Sequence, residues 1–420
     1  MACVTDRTDT AADAATTISS ADAPADFLNA DAPGAPVDPR AAERSAVVDL
    51  AAIRHNVRTL RSRVAPAALM AVVKADAYGH GMLPVATAAL EAGADWLGVA
   101  HVSEALVLRR AGIDAPLLAW LHTPATDFAA AVEAGIDLGV SGWELEPIAA
   151  AAETAGRPAR VHLKIDTGLG RNGCTPEQWP VLVRAALDHE AAGRVRFVGV
   201  FSHLAVADEP VRPETDAQVA AFRAAVAVAE DAGARLEVRH LANSPAILTR
   251  PETHFDLVRA GVSIYGLSPL AGITAAELGL TPAMTLRAAI ANVKHVPAGQ
   301  GISYGLRYRT EAASTLALVP VGYADGVPRI AADAPVTIDG QRHTVAGRIA
   351  MDQFVVDLVD PVPTDPDSLL GTDAVLFGDP ATGAPAVEEW AEAAQTINYE
   401  VVTRIGTRVP RVYRDSGTAR

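Results

Sequence analysis

Eight apolar runs, each followed by a polar turn and a helix-like segment, succeed one another between residues 69 and 266. They are LMAVVKA (69–75), WLGVA (96–100), PLLAWL (116–121), DLGVS (137–141), RVHLKID (160–166), RFVGVFSH (196–203), LEVRHLA (236–242) and DLVRAGVSIYG (256–266). A strand with one wet face alternates apolar and polar residues. These runs are nearly continuous, the pattern of parallel strands covered on both faces. The intervening segments are long enough for the crossover helices that parallel neighbours require. Eight such units predict an α/β fold, a (β/α)8 TIM-type barrel; a doubly wound open sheet shares much of the pattern.

Around this block the texture differs. Residues 1–43 are Ala, Asp, Pro and Thr with few large apolar side chains, too little to offset the entropy of ordering, and read as a disordered tail. A lead-in strand at 46–50 precedes a helix with Asp49 as N-cap, and Ser141 with Glu144 has capping-box spacing. From 283 onward, β-rich segments such as STLALVPVGYA and DQFVVDLV alternate with glycine turns, Asp339-Gly340 being a hairpin signal. A helix is expected at about 386–396. The expected domains are therefore a barrel at 44–282 and a mostly β domain at 283–420.

The formal net charge of −15 argues against a nucleic-acid surface, which needs clustered Lys and Arg. Only Cys3 and Cys174 are present, which suits a reducing compartment. No apolar run reaches membrane-spanning length and no secretory signal is visible, so the expected place is the cytoplasm and the expected partner a small molecule, with no membrane and no metal.

In such barrels the chemistry sits at the C-terminal ends of the strands. There the sequence puts Lys74, Lys164 with Asp166, His203, Asn243 with Ser244, and Arg259 with Gly261. Ser244 followed by proline resembles an anion-binding helix start, and Gly261 lets backbone approach closely; a plain N-cap serine is the simpler reading. A lysine at a water-poor strand end loses solvation and becomes a nucleophile toward a carbonyl, although such lysines are more often merely solvated. An amine and a phosphate cradle on one rim together suggest pyridoxal 5′-phosphate.

VVKADAYGHG, KIDTGLGRNG, FSHLAVAD, HLANS, VRAGVSIYG, GISYG, VGYADG, GRIAMDQ and TINYE, in this order, resemble the alanine racemase family, pyridoxal-phosphate enzymes of fold type III, from about 45 to 415. The resemblance implies that Lys74 holds the cofactor and acts as base on one face of the substrate. Tyr78, Ser244, Gly261, Val262 and Tyr399 would hold the phosphate, with Asn243 and His203 beside the cofactor and Arg259 on the ring nitrogen. Tyr304 would be the opposite base, reaching the active site of the partner subunit in a head-to-tail homodimer and linked by hydrogen bonds to His203 and Arg259. Lys164 would carry a carbamate that orients Arg171, against the alternative of a plain lysine paired with Asp166. Arg171, Met351 and Tyr323 would bound the substrate carboxylate.

The implied activity is interconversion of L-alanine and D-alanine, feeding peptidoglycan synthesis. Ala350, where cysteine is frequent, and Asp76, where asparagine is frequent, depart from the commoner pattern. The alternatives are a broad-spectrum or serine-selective racemase, a basic amino-acid decarboxylase on the same barrel, and a cofactor-binding homeostasis protein without turnover.

Overall fold

The computed structural model describes residues 43–359 and 366–415, so the tail expected at 1–43 lies outside the described residues except for Glu43. Strand β1 (Arg44–Asp49) leads into a helix, Leu50–Val64, whose first turn is capped as expected: the Asp49 carboxylate accepts from Ala51 N at 2.9 Å and Ala52 N at 3.3 Å.

All eight apolar runs become strands of one parallel sheet: β2 (Ala68–Val72), β3 (Trp96–Val99), β4 (Leu117–Ala119), β5 (Asp137–Val140), β6 (Ala159–Lys164), β7 (Val195–Phe201), β8 (Val238–His240) and β9 (Leu257–Ala260). Neighbours in sequence are neighbours in space, and β9 returns to pair with β2. Across the remaining seam Arg259 N donates to Ala242 O at 3.0 Å and Asp256 N to Arg239 O at 3.1 Å, so the barrel all but closes.

β3, β4, β5 and β9 are buried along their whole length, which explains the missing alternation: outward side chains meet helices and inward ones meet each other. Met70, Trp96, Leu118, Val198 and Leu257 form an interior plug, each stabilising the fold by roughly 1.5–3 kcal/mol. Gly98 makes room for it, since a Cβ there would lie 2.6 Å from Met70 Sδ and 2.7 Å from the Trp120 ring.

Ser141 and Glu144 interact, but not as a capping box. Glu144 accepts from the Ser141 hydroxyl at 2.7 Å, the Ser141 amide at 3.1 Å and the Gly142 amide at 2.9 Å, which ties off a turn, and the helix begins one turn later, at Leu145–Ala155. β9 stops at Ala260, so Gly261 follows the strand rather than lying in it.

The remainder is mostly β. β10 (Met284–Ala289), β11 (Asn292–Val296), β12 (Gly301–Ile302), β13 (Tyr308–Arg309), β14 (Ser314–Val319), β15 (Pro335–Ile338), β16 (Gln341–Thr344), β17 (Phe354–Leu358), β18 (Asp373–Phe377) and β19 (Arg411–Arg414) form three sheets, one of which takes in a partner from before the barrel. That partner is β1, which pairs with β10 and β19 in a six-stranded sheet and not with the barrel. Ile338 opposes Gln341 across Asp339 (φ 46°) and Gly340 (φ 72°), the two-residue hairpin the dipeptide predicts. The expected late helix is Val387–Ala393, and a second one, Asn398–Thr403, follows it.

Candidate active site

A cavity of about 790 Å³ opens at the C-terminal ends of the barrel strands. It brings together Lys74, Tyr78, Lys164, Arg171, His203, Asn243, Ser244, Arg259, Gly261, Val262 and Tyr399. Tyr304, Tyr323 and Met351 do not line it; they stand on the surface of the β portion, 70%, 37% and 53% exposed. Tyr304 lies in the turn between β12 and β13, which passes through positive φ at Ser303, Gly305 and Leu306 and is pinned where the Ser303 hydroxyl donates to Arg348 O at 2.6 Å.

Lys74 stands two residues beyond β2 and opens a turn of unusual hand. Ala75, Asp76, Ala77 and Tyr78 all have φ between 51° and 53°, a left-handed turn built from residues with a Cβ, which costs roughly 1–2 kcal/mol per residue. Nothing in the letters ADAY announces it. Glu104, also unsuspected from sequence, accepts from Ala75 N at 2.7 Å and from the amides of Ala100 and His101. Burial, followed by the nearby Arg171, lowers the Lys74 amine below the ordinary lysine range, with Glu104 opposing.

The short helix Ser244–Thr249 is capped by Asn243, whose side chain accepts from Ala246 N at 3.3 Å; Pro245 is the second helical residue, not the first. Ser244 is thus free of capping. Its Oγ accepts from Gly261 N at 2.9 Å and Ser263 N at 3.4 Å, leaving its hydrogen to donate. Gly261 has φ −101°, so what matters there is space: a Cβ would meet Tyr78 Oη at 2.6 Å. The Tyr78 ring packs 4.8 Å from Tyr265 and 6.2 Å from Tyr399, and burial pushes its phenol up to about 12 and that of Tyr399 up as well. Protonated phenols and a serine hydroxyl around a glycine where a Cβ would crowd Tyr78 suit a phosphate. The pyridoxal phosphate expected from sequence therefore fits the residues present.

Arg259 is buried and donates to the carbonyls of Ser202 (2.6 Å), His240 (2.9 Å) and Leu241 (3.0 Å). It also reaches His240 Nδ1 at 3.1 Å and His203 Nδ1 at 3.3 Å. Guanidinium nitrogens only donate, so both imidazole nitrogens accept. His240 Nε2–H must then donate to His162 Nδ1 at 3.0 Å, and His162 Nε2–H to Asp137 Oδ2 at 3.0 Å, while Arg160 pairs with Asp137 Oδ1 at 2.9 Å. One buried chain therefore runs across β9, β8, β6 and β5. Desolvation lowers Arg259 to about 10, still cationic at neutral pH, and burial with Arg259 holds His203 well below its usual range.

Lys164 ends β6 with its amine 5.5 Å from the Phe201 ring centroid; burial first, then Arg259 and Arg171, lower it to about 8. Asp166 spends its Oδ1 on the amides of Gly168, Leu169 and Gly170.

Profiles described as "Alanine racemase, N-terminal domain" and "Alanine racemase, C-terminal domain" match residues 48–269 and 283–413. The chain belongs to the alanine racemase family. It is 56% identical to an alanine racemase of Streptomyces coelicolor over 88% of this chain and 95% of that one. Among solved structures, an alanine racemase from D-cycloserine-producing Streptomyces lavendulae is 55% identical with a TM-score of 0.87, covering 89% of this chain and 97% of that one. One from Bacillus anthracis with bound L-Ala-P is 36% identical with a TM-score of 0.79, over 90% and 96%. Of this family member's two departures, Asp76 uses Oδ1 to accept from Met82 N at 2.7 Å, a bond the amide oxygen of asparagine makes equally well; Ala350 accepts at its carbonyl from Tyr323 N at 3.1 Å, a backbone bond any residue would make, and nothing in the structure gives its side chain a role.

Proposed function

We propose that this chain is an alanine racemase, a pyridoxal 5′-phosphate isomerase that interconverts L-alanine and D-alanine, acts as a homodimer in the cytoplasm and supplies D-alanine for peptidoglycan. One observation carries the reading: the desolvated Lys74 amine opens onto the same cavity as the Ser244–Gly261–Tyr78 cradle and Arg259. An aldehyde, a phosphate and a ring nitrogen each find a matching group there. When bound, the cofactor supplies that aldehyde for the substrate amine and a ring that draws electrons from the α-carbon.

The protein's part is proton handling. Lys74 Nζ, lowered by burial, takes or gives the α-proton on one face. Tyr304 of the partner subunit does so on the other, which accounts for its exposure in a single chain. His203, neutral and accepting from Arg259 at Nδ1, has its Nε2–H free to steady that phenol oxygen. Arg259 keeps its protons at working pH, so a ring nitrogen held against it would stay an acceptor and electron withdrawal would be moderated. Arg171 is the cation for the substrate carboxylate, oriented by Lys164, whose partly neutral amine suits carbamate formation; Met351 N and Tyr323 Oη of the second subunit limit the space beside it. In this division the barrel strands, β2 to β9, hold cofactor and substrate with Tyr399 of the β portion beside them, while Tyr304, Tyr323 and Met351 of that portion complete the neighbouring site.

The test is incubation of L-alanine with the purified protein and cofactor in deuterated water. D-alanine carrying deuterium at the α-carbon is expected; cofactor binding without α-hydrogen exchange would replace the reading with a non-catalytic one.

A further inference from the structure

We infer that Arg411 is a positioning residue for Lys74: it ties β19 to the far end of the left-handed turn that carries the amine. The functional meaning rests on the role proposed for Lys74, while the observation itself is one of backbone geometry. Four successive residues with a Cβ do not hold a left-handed shape unaided, so the surroundings must over-determine it. At its start the turn is held by Glu104 through Ala75 N. At its end, Arg411 Nε donates to Gly79 O at 2.9 Å, across 332 positions of sequence.

The other two guanidinium nitrogens donate to Gly406 O (2.5 Å), Val409 O (2.9 Å) and Ile405 O. One planar group thereby gathers four carbonyls from two segments, a fork that an ammonium with freely rotating donors does not reproduce. Desolvation raises the Asp76 carboxyl, inside the turn, and lowers the Arg411 guanidinium, and the charge of each partly opposes that effect on the other. The same C-terminal segment presses on the turn directly. A Cβ on Gly79 would lie 2.6 Å from Val402 O, and one on Gly81 would lie 1.8 Å from Tyr413 Oη. β19 is in turn anchored by parallel pairing to β1. Without the Arg411 fork, the end of the turn is released toward commoner backbone angles, and Lys74 at its start is no longer held toward the Ser244 cradle.

The experiment is hydrogen exchange read by mass spectrometry on full-length, cofactor-saturated protein, comparing wild type with Arg411→Ala, Arg411→Lys and Ser244→Ala. Exchange of amides 76–82 should rise at least about tenfold in both Arg411 variants while barrel peptides over 97–99 and 138–140 stay as in wild type. The pH midpoint of the bound cofactor's visible absorbance should also move, and kcat should fall about ten- to a hundredfold with KM for alanine within about twofold. Ser244→Ala, which weakens cofactor binding without touching the turn, should leave 76–82 unchanged. Unchanged exchange there in both Arg411 variants overturns the inference. So does a rise shared by the barrel peptides, or an equal rise in Ser244→Ala, which would trace it to cofactor loss. Arg411→Lys keeps charge and stem, so it decides the matter if Arg411→Ala does not fold. A wild-type protein that fails to racemise alanine would sink the proposed function yet leave the exchange data to decide on Arg411.

Discussion

Lys74 and Lys164 share one cavity with Arg171 and Arg259, and each amine gives up protons more readily than a free lysine because burial and like charge act together. Lys74→Ala should abolish the bound cofactor's visible absorbance and reduce turnover by about a thousandfold or more, read by spectrophotometry and chiral analysis together. Tyr304→Phe should keep the absorbance and slow proton removal from one enantiomer about a hundredfold or more relative to the other; equal slowing from both, measured by α-hydrogen exchange, contradicts the assignment of one face to each base. Lys164 gives a pH prediction. An unfolded lysine titrates near 10.4, and this one does so at about 8 in the fold. Between those values the unfolded chain binds more protons, so the native state gains stability as pH rises through that window. In carbonate-free buffer Lys164→Met should therefore be the more stable protein at pH 7, by at most about 3 kcal/mol, and the gap should narrow toward pH 10 in urea unfolding. What the sequence hides at this scale is conformation: the motif marks Lys74, but alanine and aspartate favour ordinary helix, and only the surrounding contacts impose a left-handed turn.

Strands covered on both faces write themselves plainly into a chain, because apolar residues fill most of their positions, and all eight barrel strands could be read for that reason although β5, β6, β8 and β9 also carry Asp137, His162, His240 and Arg259. Short helices at the rim could not. The Asn398–Thr403 helix, which presents Tyr399 to the cavity, reads NYEVVT and is rich in β-formers; it is helical because it packs on Gly79 and is tied through Asn398 Nδ2 to Ser268 O at 2.9 Å. Ser141 and Glu144 carried a true signal of mutual bonding and a false one of helix start, since a carboxylate closing a turn and one closing a cap have the same spacing. The Asp137–His162–His240–Arg259 chain was equally invisible, its members lying on four different strands. Removing its carboxylate leaves His162 without an acceptor and Arg160 without its buried partner. Asp137→Ala should cost about 3 kcal/mol in chemical denaturation, whereas Asp137→Asn, which still offers an oxygen to His162, should cost about half of that.

At the scale of the whole molecule, the first and last strands among the described residues meet: β1 joins β10 and β19 in a sheet apart from the barrel it precedes, a pairing across sequence that no local pattern carries. The surfaces left open by this arrangement matter as much. Tyr304, Tyr323 and Met351 stand exposed on the β portion while the cavity holding Lys74 lies in the barrel, and the proposed function takes the second base from a second chain. A mixing experiment distinguishes this from a site completed within one chain. Lys74→Ala and Tyr304→Phe proteins, each nearly inactive alone, are dissociated together and reassembled. Random pairing makes about half the dimers mixed, and in each mixed dimer one site receives both lysine and tyrosine while the other receives neither, so activity should return to about a quarter of wild type. If each chain supplied both bases to its own site, mixing would restore nothing, and the exposure of Tyr304 would need another explanation.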